Sequence, residues 1–472
     1  MIWNAEQNHI LQVIKRGDSI FFSGPAGSGK SHLLKKVIQI LTSKYGSNNQ
    51  VAVLSSTGIS AVNIGGNTIH SYLRIGTGEE AIENLILRNR KNKNWLAQAV
   101  IIDEISMVDG ILFDKLEEMA RKLRGNSKPF GGMQLILCGD FYQLPPVNTS
   151  AKYCFQSSSW SKCISQSLIL QKIYRQKSVY FVNILDEVRN GIVSKATLKL
   201  LSNKSEVIFD MSDKIEPTQL FSRNANVDRI NNQKLDELKG NEVVFVGKTT
   251  GTKEKANKLV ENSRVPFNLK LKINAQVMLL KNIDTINGFV NGLKGIVTSF
   301  DPDSGLPLVK WENQIIPSIV TTFEMSQTDP ETKKIISTYT QIPISLSWAC
   351  TIHKSQGSTI NKLIVDCEGI FSTGQLYVAL SRAKEWDNLK IINFSPHHVK
   401  TDVEVINFYN SLTNEQSSME LIKDMYTDGD YEQNRGNEAT KFGYNAKEKI
   451  LQHFKIYCPP RPKRMKLDHI NK

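Results

Sequence analysis

The chain has 472 residues, long enough for two or three domains that each bury a core of their own. With 40% apolar and 22% charged residues it has a globular balance, which excludes a wholly disordered chain. Lysine and arginine total 59 against 46 acidic residues, and the net charge of +13 favours a polyanionic partner, most commonly nucleic acid.

In chain order, MIWNAEQNHILQVIKRGDS carries an early acid and no long apolar core, which argues against a signal peptide. SIFF (residues 19–22) predicts a buried parallel strand, and the helical pattern from residue 30 to about 45 follows it, the order of a doubly wound α/β sheet. Between them Gly24-Pro25-Ala26-Gly27-Ser28-Gly29-Lys30-Ser31 fits G-x-x-x-x-G-K-[ST] in its required strand-to-helix setting. The glycines let backbone N–H groups curl round phosphates, and the helix N-terminus adds its positive dipole end. Lys30 is expected on the β- and γ-phosphates and Ser31 on Mg²⁺.

VAVL (51–54) and AVII (99–102) predict two further buried strands. Between residues 72 and 96 the pattern turns polar and basic, including RNRKNKNW, which predicts a small insertion in the first core. The second of these strands ends in Asp103-Glu104: Asp103 is placed to hold Mg²⁺, and Glu104 to orient and activate the attacking water. With the phosphate loop, this pair makes ATP hydrolysis the expected chemistry. A further strand, QLILC (134–138), leads into GDFYQLPP, where Asp140 and Gln143 stand at a strand's C-terminal edge and can sense a γ-phosphate; a capped turn before two prolines reads the same way.

Beyond about residue 165 the alternation restarts, with TQLF (218–221), LIVD (363–366) and LKIIN (389–393) as strands of a second core. The expected division is a first core of residues 1–165, a second of 166–427 and a polar basic tail of 428–472. Gly- and Pro-punctuated short strands over residues 288–319 predict a small β-barrel inserted in the second core, in all about 288–340. Arg175 in IYRQ and Arg382 in GQLYVALSRA offer planar guanidinium groups suited to the charge of a transferred phosphoryl group, although a lone arginine in a polar loop is more often a surface residue. The run Thr351-Ile352-His353-Lys354-Ser355-Gln356-Gly357-Ser358-Thr359 offers donors for phosphate contacts. His353 and His70 have no metal-spaced partner, so each also reads as a structural histidine. In the tail, KRMKLD after prolines has the pattern of a nuclear-import signal, and equally of a solvated basic tail. The six cysteines, Cys138, Cys154, Cys163, Cys350, Cys367 and Cys458, show no metal-ligand spacing and are expected to be reduced thiols inside a cell. No apolar run approaches the roughly 20 residues of a membrane span.

Taken together, FFSGPAGSGKSHLLKKV, VAVLSSTGISAVNIGGNTIHS, IIDEISMVDG, FGGMQLILCGDFYQLPPV, IYRQ, AQVMLLKN, VNGLKGIV, WACTIHKSQGSTI and GQLYVALSRA resemble, in order, the petite-integration-frequency (PIF-type) family of superfamily 1B DNA helicases. The compact length also resembles helicases of this type from large DNA viruses. The resemblance implies two tandem RecA-like P-loop cores, a wedge insertion at 72–96 and an SH3-like barrel in the second core. It implies that Gln7 contacts adenine, that Gln143 and Arg175 sense the γ-phosphate, and that Arg382 is the finger from the second core. Thr57, Gly58, Thr68 and His70 match positions that grip a single strand; Thr351, His353, Lys354, Ser355 and Gln356 match the segment linking nucleotide state to strand contact, followed by Gly357. Ser222-Arg223 departs from the family pattern at the strand contact after TQLF. The activity that the resemblance implies is ATP- and Mg²⁺-dependent 5′→3′ travel on single-stranded and forked DNA; a monomer is expected as the working unit, in a nucleus (the host's if the chain is viral) or otherwise soluble inside a cell, with no membrane partner. An ATP-switched single-strand clamp or translocase is the alternative; a phosphotransferase would need an acceptor lid instead of two cores and a barrel.

Overall fold

The computed structural model describes residues 3–413, apart from 47–49, 147–151, 213, 264, 282, 285–286, 290, 313 and 329–334. The chain divides into two units, Met1–Tyr409 and Asn410–Lys472, and every element below belongs to the first. The basic tail and its import pattern lie outside the described residues.

Six strands, β1 (Ile20–Ser23), β2 (Val51–Ser55), β3 (Asn67–Thr68), β4 (Ala99–Asp103), β5 (Gln134–Cys138) and β6 (Gln166–Ile169), form one parallel sheet in the order β3-β2-β4-β5-β1-β6. Every residue of β1, β4 and β5 is buried, as expected of continuous apolar runs covered on both faces. The helix α1 (Ala5–Arg16) starts in a capping box between Asn4 and Gln7 and stops at the left-handed Gly17. It buries Ile10, Val13 and Ile14; α2 (Lys30–Tyr45) buries Leu33, Leu34, Val37 and Leu41, one helical stripe against the same sheet. Each such aliphatic side chain contributes about 1.5–3 kcal/mol.

The insertion between β3 and β4 holds a helix, Ile82–Asn89, and a 3₁₀ turn, Lys93–Leu96. Its asparagines are struts, a finding that the polar reading of RNRKNKNW did not anticipate. Asn89 donates to the Leu85 carbonyl at 2.9 Å and accepts from Asn92 at 2.8 Å and from the Trp95 indole at 3.3 Å. Asn94 donates to the Tyr72 carbonyl at 2.7 Å. Asn89, Asn92, Asn94 and Trp95 are buried, while Arg90, Lys91 and Lys93 between them are exposed.

A second parallel sheet runs in the order Ala349–Thr351, Thr218–Phe221, Leu363–Asp366, Leu389–Ile392. The helices Val179–Asn190 and Gln375–Leu380 pack on it through Phe181, Leu185, Val188 and Leu376. Inserted within this half is a five-stranded antiparallel sheet ordered Ser318–Ile319, Pro307–Trp311, Lys294–Phe300, Gln276–Leu279, Ile344–Leu346. Its outer partners reach beyond the expected 288–340, because Gln276–Leu279 and Ile344–Leu346 pair with each other across the insertion. No helix among the described residues is long and apolar enough to cross a membrane, and the five described cysteines are free thiols.

Candidate nucleotide site between the two sheets

The phosphate loop joins β1 to α2. Gly27 has φ +83, and a Cβ there would lie 2.6 Å from Arg175 Cβ, so only glycine lets Arg175 lie against the loop. Lys30 Nζ donates to the Gly24 carbonyl at 2.6 Å and to Pro25 at 3.1 Å. Gln7 and Tyr174 flank Gly29: a Cβ built on that glycine would sit 3.6 Å from both Gln7 Nε2 and the Tyr174 ring.

One cavity of about 120 Å³ is lined by Ser31, Thr57, Ser60, Asp103, Glu104, His353, Lys354, Gln356 and Gly357, among others. It therefore unites expected metal, catalytic and strand-contact residues from both halves of the chain. Asp103 accepts from Ser60 Oγ at 2.5 Å; burial raises its carboxyl, with the Ser60 bond and the Lys30 charge opposing. Glu104 adopts left-handed backbone at φ 53, ψ 45, which is costly for a side chain of this size. Burial, then the Asp103 charge, pushes its carboxyl up to about 7, with Lys30 and Arg382 pulling the other way. Its Oε2 is buried with no hydrogen-bond partner among the described residues, so this oxygen is available to a water. Ser31 and Asp103 present hard oxygens to the same cavity, a donor set that fits Mg²⁺ when phosphates and water complete the shell.

The two arginines meet at the junction. Arg175 donates from Nη1 to the Ser381 carbonyl at 3.0 Å and from Nη2 to Gly357 at 3.5 Å. Arg382, 1% exposed, donates to the Val378 carbonyl at 2.9 Å and to Ser381 Oγ at 2.8 Å. Burial lowers Arg175 to about 10; burial, then the like charge of Arg175, lowers Arg382 to about 9. Two guanidinium groups held this way favour an anion beside them.

Of the remaining expected residues, Gln143, Thr68, His70, Thr351 and Ser355 do not line the cavity, whereas Thr57 and Gly357 do. Gln143 is buried behind the loop and donates to Asp140 Oδ2 at 3.2 Å. Thr57 Oγ1 accepts from Ser60 N at 3.2 Å in the turn that starts the helix Gly58–Asn63. Thr68 caps the short helix Ile69–Tyr72, which carries His70, and neither lines the cavity. Thr351 caps the next short helix by accepting from Lys354 N at 3.2 Å, and the buried Ser355 donates to the Ile352 carbonyl at 2.8 Å. Burial lowers His70 and His353 alike. Gly357 has φ +81.

Four residues at the junction carried no sequence expectation. Tyr174 is the aromatic beside Arg175 in IYRQ, a signal within reach. Gln176 donates to the Ser381 and Ala383 carbonyls at 3.1 and 2.7 Å. Tyr377 accepts from Ala26 N at 2.8 Å. Arg189 pairs with Asp140 at 2.9 Å, and no local motif marks the arginine.

Residues 2–199 match the family model "PIF1-like helicase", and residues 254–300 match "DNA helicase Pif1, 2B domain". The ATP-dependent DNA helicase PIF1 of Homo sapiens is 38% identical over 418 residues, covering 87% of this chain and 64% of that protein. The chain thus spans a little under two thirds of that relative's length. The crystal structure of Pif1 helicase from Candida albicans superposes with a TM-score of 0.74 at 37% identity, covering 87% of this chain and 100% of that one. Bacteroides sp Pif1 in complex with ADP-AlF4 gives 0.73 at 30% identity, covering 88% and 98%. Bacteroides Pif1 bound to ssDNA gives 0.60 at 30% identity, again over 88% and 98%.

Proposed function

The chain belongs to the PIF1-like helicase family, with two tandem RecA-like cores, and from that premise we propose that it is an ATP-driven DNA helicase moving 5′ to 3′ along a single strand. The observation that carries this reading is the junction itself: Ser31 and the Asp103–Glu104 pair share one cavity with the His353–Lys354 segment, the charges of Lys30 and Arg382 reach Glu104, and Arg175 is bonded to the carbonyl of Ser381 beside Arg382. The ADP-AlF4 and ssDNA complexes of the Bacteroides relative support nucleotide and single-strand binding here.

In this account Gln7 and the Tyr174 ring hold the adenine. The loop N–H groups and Lys30 hold the phosphates, and Ser31 with Asp103 holds Mg²⁺, which neutralises charge on the phosphate oxygens when bound. Glu104 Oε2 accepts a proton from the attacking water. Arg175, Arg382 and the Asp140-held Gln143 stabilise the charge on the transferred phosphoryl group. Because Arg175 and Gln176 are hydrogen-bonded to the 381–383 backbone, terminal phosphate draws the second core onto the first, and hydrolysis releases it. Thr57, Gly58, Thr68, His70 and the 351–355 segment grip the sugar–phosphate backbone alternately, and the basic edge of the 72–96 insertion meets the fork.

All parts of the nucleotide site lie within one chain, which supports a monomer as the working unit. The import pattern at 463–468 supports a nuclear location; loss of residues 459–472 should then leave the protein outside the nucleus.

ATP turnover with and without single-stranded DNA tests the reading. Single strands should accelerate the wild type, and Lys30→Ala should lose about 10²-fold or more while keeping its fold. Full turnover in Lys30→Ala would contradict the site.

A further inference from the structure

Ala26 sits in the middle of the phosphate loop, and its N–H donates to the Tyr377 hydroxyl at 2.8 Å, a bond between residues 351 apart in sequence. Tyr377 lies on the helix Gln375–Leu380 and is 3% exposed, packed into the core of the second sheet. The loop of one core is therefore pegged to a rigid element of the other at a single side-chain oxygen.

That helix is keyed at three places: to the segment after β5, to the phosphate loop, and to the segment that joins the two halves. At its start, Gly374 has φ +69, and any side chain there would collide with the Gln143 carbonyl. In its middle stands Tyr377. Just past its end, the Ser381 carbonyl accepts from Arg175 and Gln176, and Arg382 follows. Tyr377 lies close enough to Arg175, Arg382, Asp140 and Arg189 to feel or exert their charge. Two of these groups, Arg175 and Arg382, are the arginines proposed for the terminal phosphate.

The chemistry of the hydroxyl is specific. Its oxygen accepts from Ala26, which leaves its proton to donate, and the hydrogen bonds of the described residues give that proton no acceptor. Burial raises the phenol to about 12, so it remains a donor at neutral pH. A terminal phosphate oxygen is the acceptor that such a site lacks.

We propose that the Tyr377 hydroxyl is an additional terminal-phosphate contact: it donates its proton to a γ-phosphate oxygen while keeping the Ala26 N–H, so that occupancy of the loop is transmitted to the helix leading into Arg382. This rests on the ATPase reading of the same site. Tyr377 distinguishes a tri- from a diphosphate nucleotide, and ADP binding does not use it.

The test compares the full-length wild type with Tyr377→Phe, which keeps the ring and removes the hydroxyl. Affinity is measured for Mg-ADP alone and for Mg-ADP with aluminium fluoride, which occupies the terminal-phosphate position. ADP affinity should stay within about twofold of wild type, while the tightening produced by aluminium fluoride should shrink about tenfold, the equivalent of one charge-assisted hydrogen bond. Undiminished tightening in Tyr377→Phe overturns the assignment, as does an equal loss for both ligands, which marks a peg that merely shapes the loop. If the wild type itself shows no tightening, the ATPase reading fails and the assignment with it. Thermal melting of Tyr377→Phe at the wild-type temperature excludes unfolding as the cause.

Discussion

Arg189 donates from Nη2 to Asp140 Oδ1 at 2.9 Å, and this buried ion pair sets the position of Gln143 through the other carboxylate oxygen. The guanidinium also lies 4.0 Å from the centroid of the Tyr142 ring, and the Tyr409 hydroxyl reaches both Asp140 and Ser23 Oγ. One arginine on the buried face of the helix Val179–Asn190 thus holds the end of β5 to the second half of the chain.

Removing that arginine should be costly. Arg189→Met strands a buried carboxylate, a change of about 3–5 kcal/mol. Burial alone would raise the Asp140 carboxyl, but the charges of Arg189 and Lys30 outweigh it and hold the group below its usual 3.8. A carboxyl depressed in the folded state contributes stability above its unfolded value and loses it as pH falls through the folded one. The deficit of Arg189→Met should therefore be full at pH 7 and narrow below about pH 4, where the carboxyl is neutral in the variant. Denaturant unfolding at the two pH values measures this; an equal deficit at both would contradict it.

How much of this was legible in the sequence depended on range. The loop Gly24–Ser31, the Asp103-Glu104 pair and the buried strands declare themselves because each is a local pattern of apolar runs, glycines and charges. The inserted sheet was placed too narrowly, because Gln276–Leu279 and Ile344–Leu346 become partners only through long-range pairing. Tyr377 and Arg189 were missed for the same reason: each looks like an ordinary helical residue until a partner far along the chain arrives. Nothing in RNRKNKNW separates its buried asparagines from its exposed basic residues, because no periodicity marks side chains buried by bonding to one another.

Glu104→Gln should bind ATP yet turn it over about 10²–10⁴-fold more slowly, since the carboxamide cannot take the proton from water. Equilibrium nucleotide binding and single-turnover hydrolysis on the same preparation separate the two effects. Normal turnover would remove Glu104 from this role.

Tyr174→Ala should raise the KM for ATP about tenfold, roughly 1.4 kcal/mol, with little change in kcat, because the ring flanks Gly29 beside Gln7 and away from the cavity holding Glu104. Gln7→Ala should act in the same direction and weaken the preference for adenine over guanine. A fall in kcat at unchanged KM would show that these residues serve the chemistry instead.

Replacing Arg90, Lys91 and Lys93 together by alanine should leave the buried asparagine struts intact, since the three side chains are exposed. If they meet phosphates at the fork, the logarithmic salt dependence of fork binding should fall by about 0.7–0.9 for each phosphate they neutralise. Unwinding should drop more than single-strand-stimulated ATP turnover. An unchanged salt slope would place the fork elsewhere.

The most direct measurement of the central claim is strand displacement on a short duplex carrying either a 5′ or a 3′ single-stranded tail, with Mg²⁺ and ATP. The account predicts displacement from the 5′-tailed duplex, none from the 3′-tailed one, and none from either with Lys30→Ala. DNA-stimulated ATP turnover without displacement from either tail would contradict it and leave a clamp or translocase.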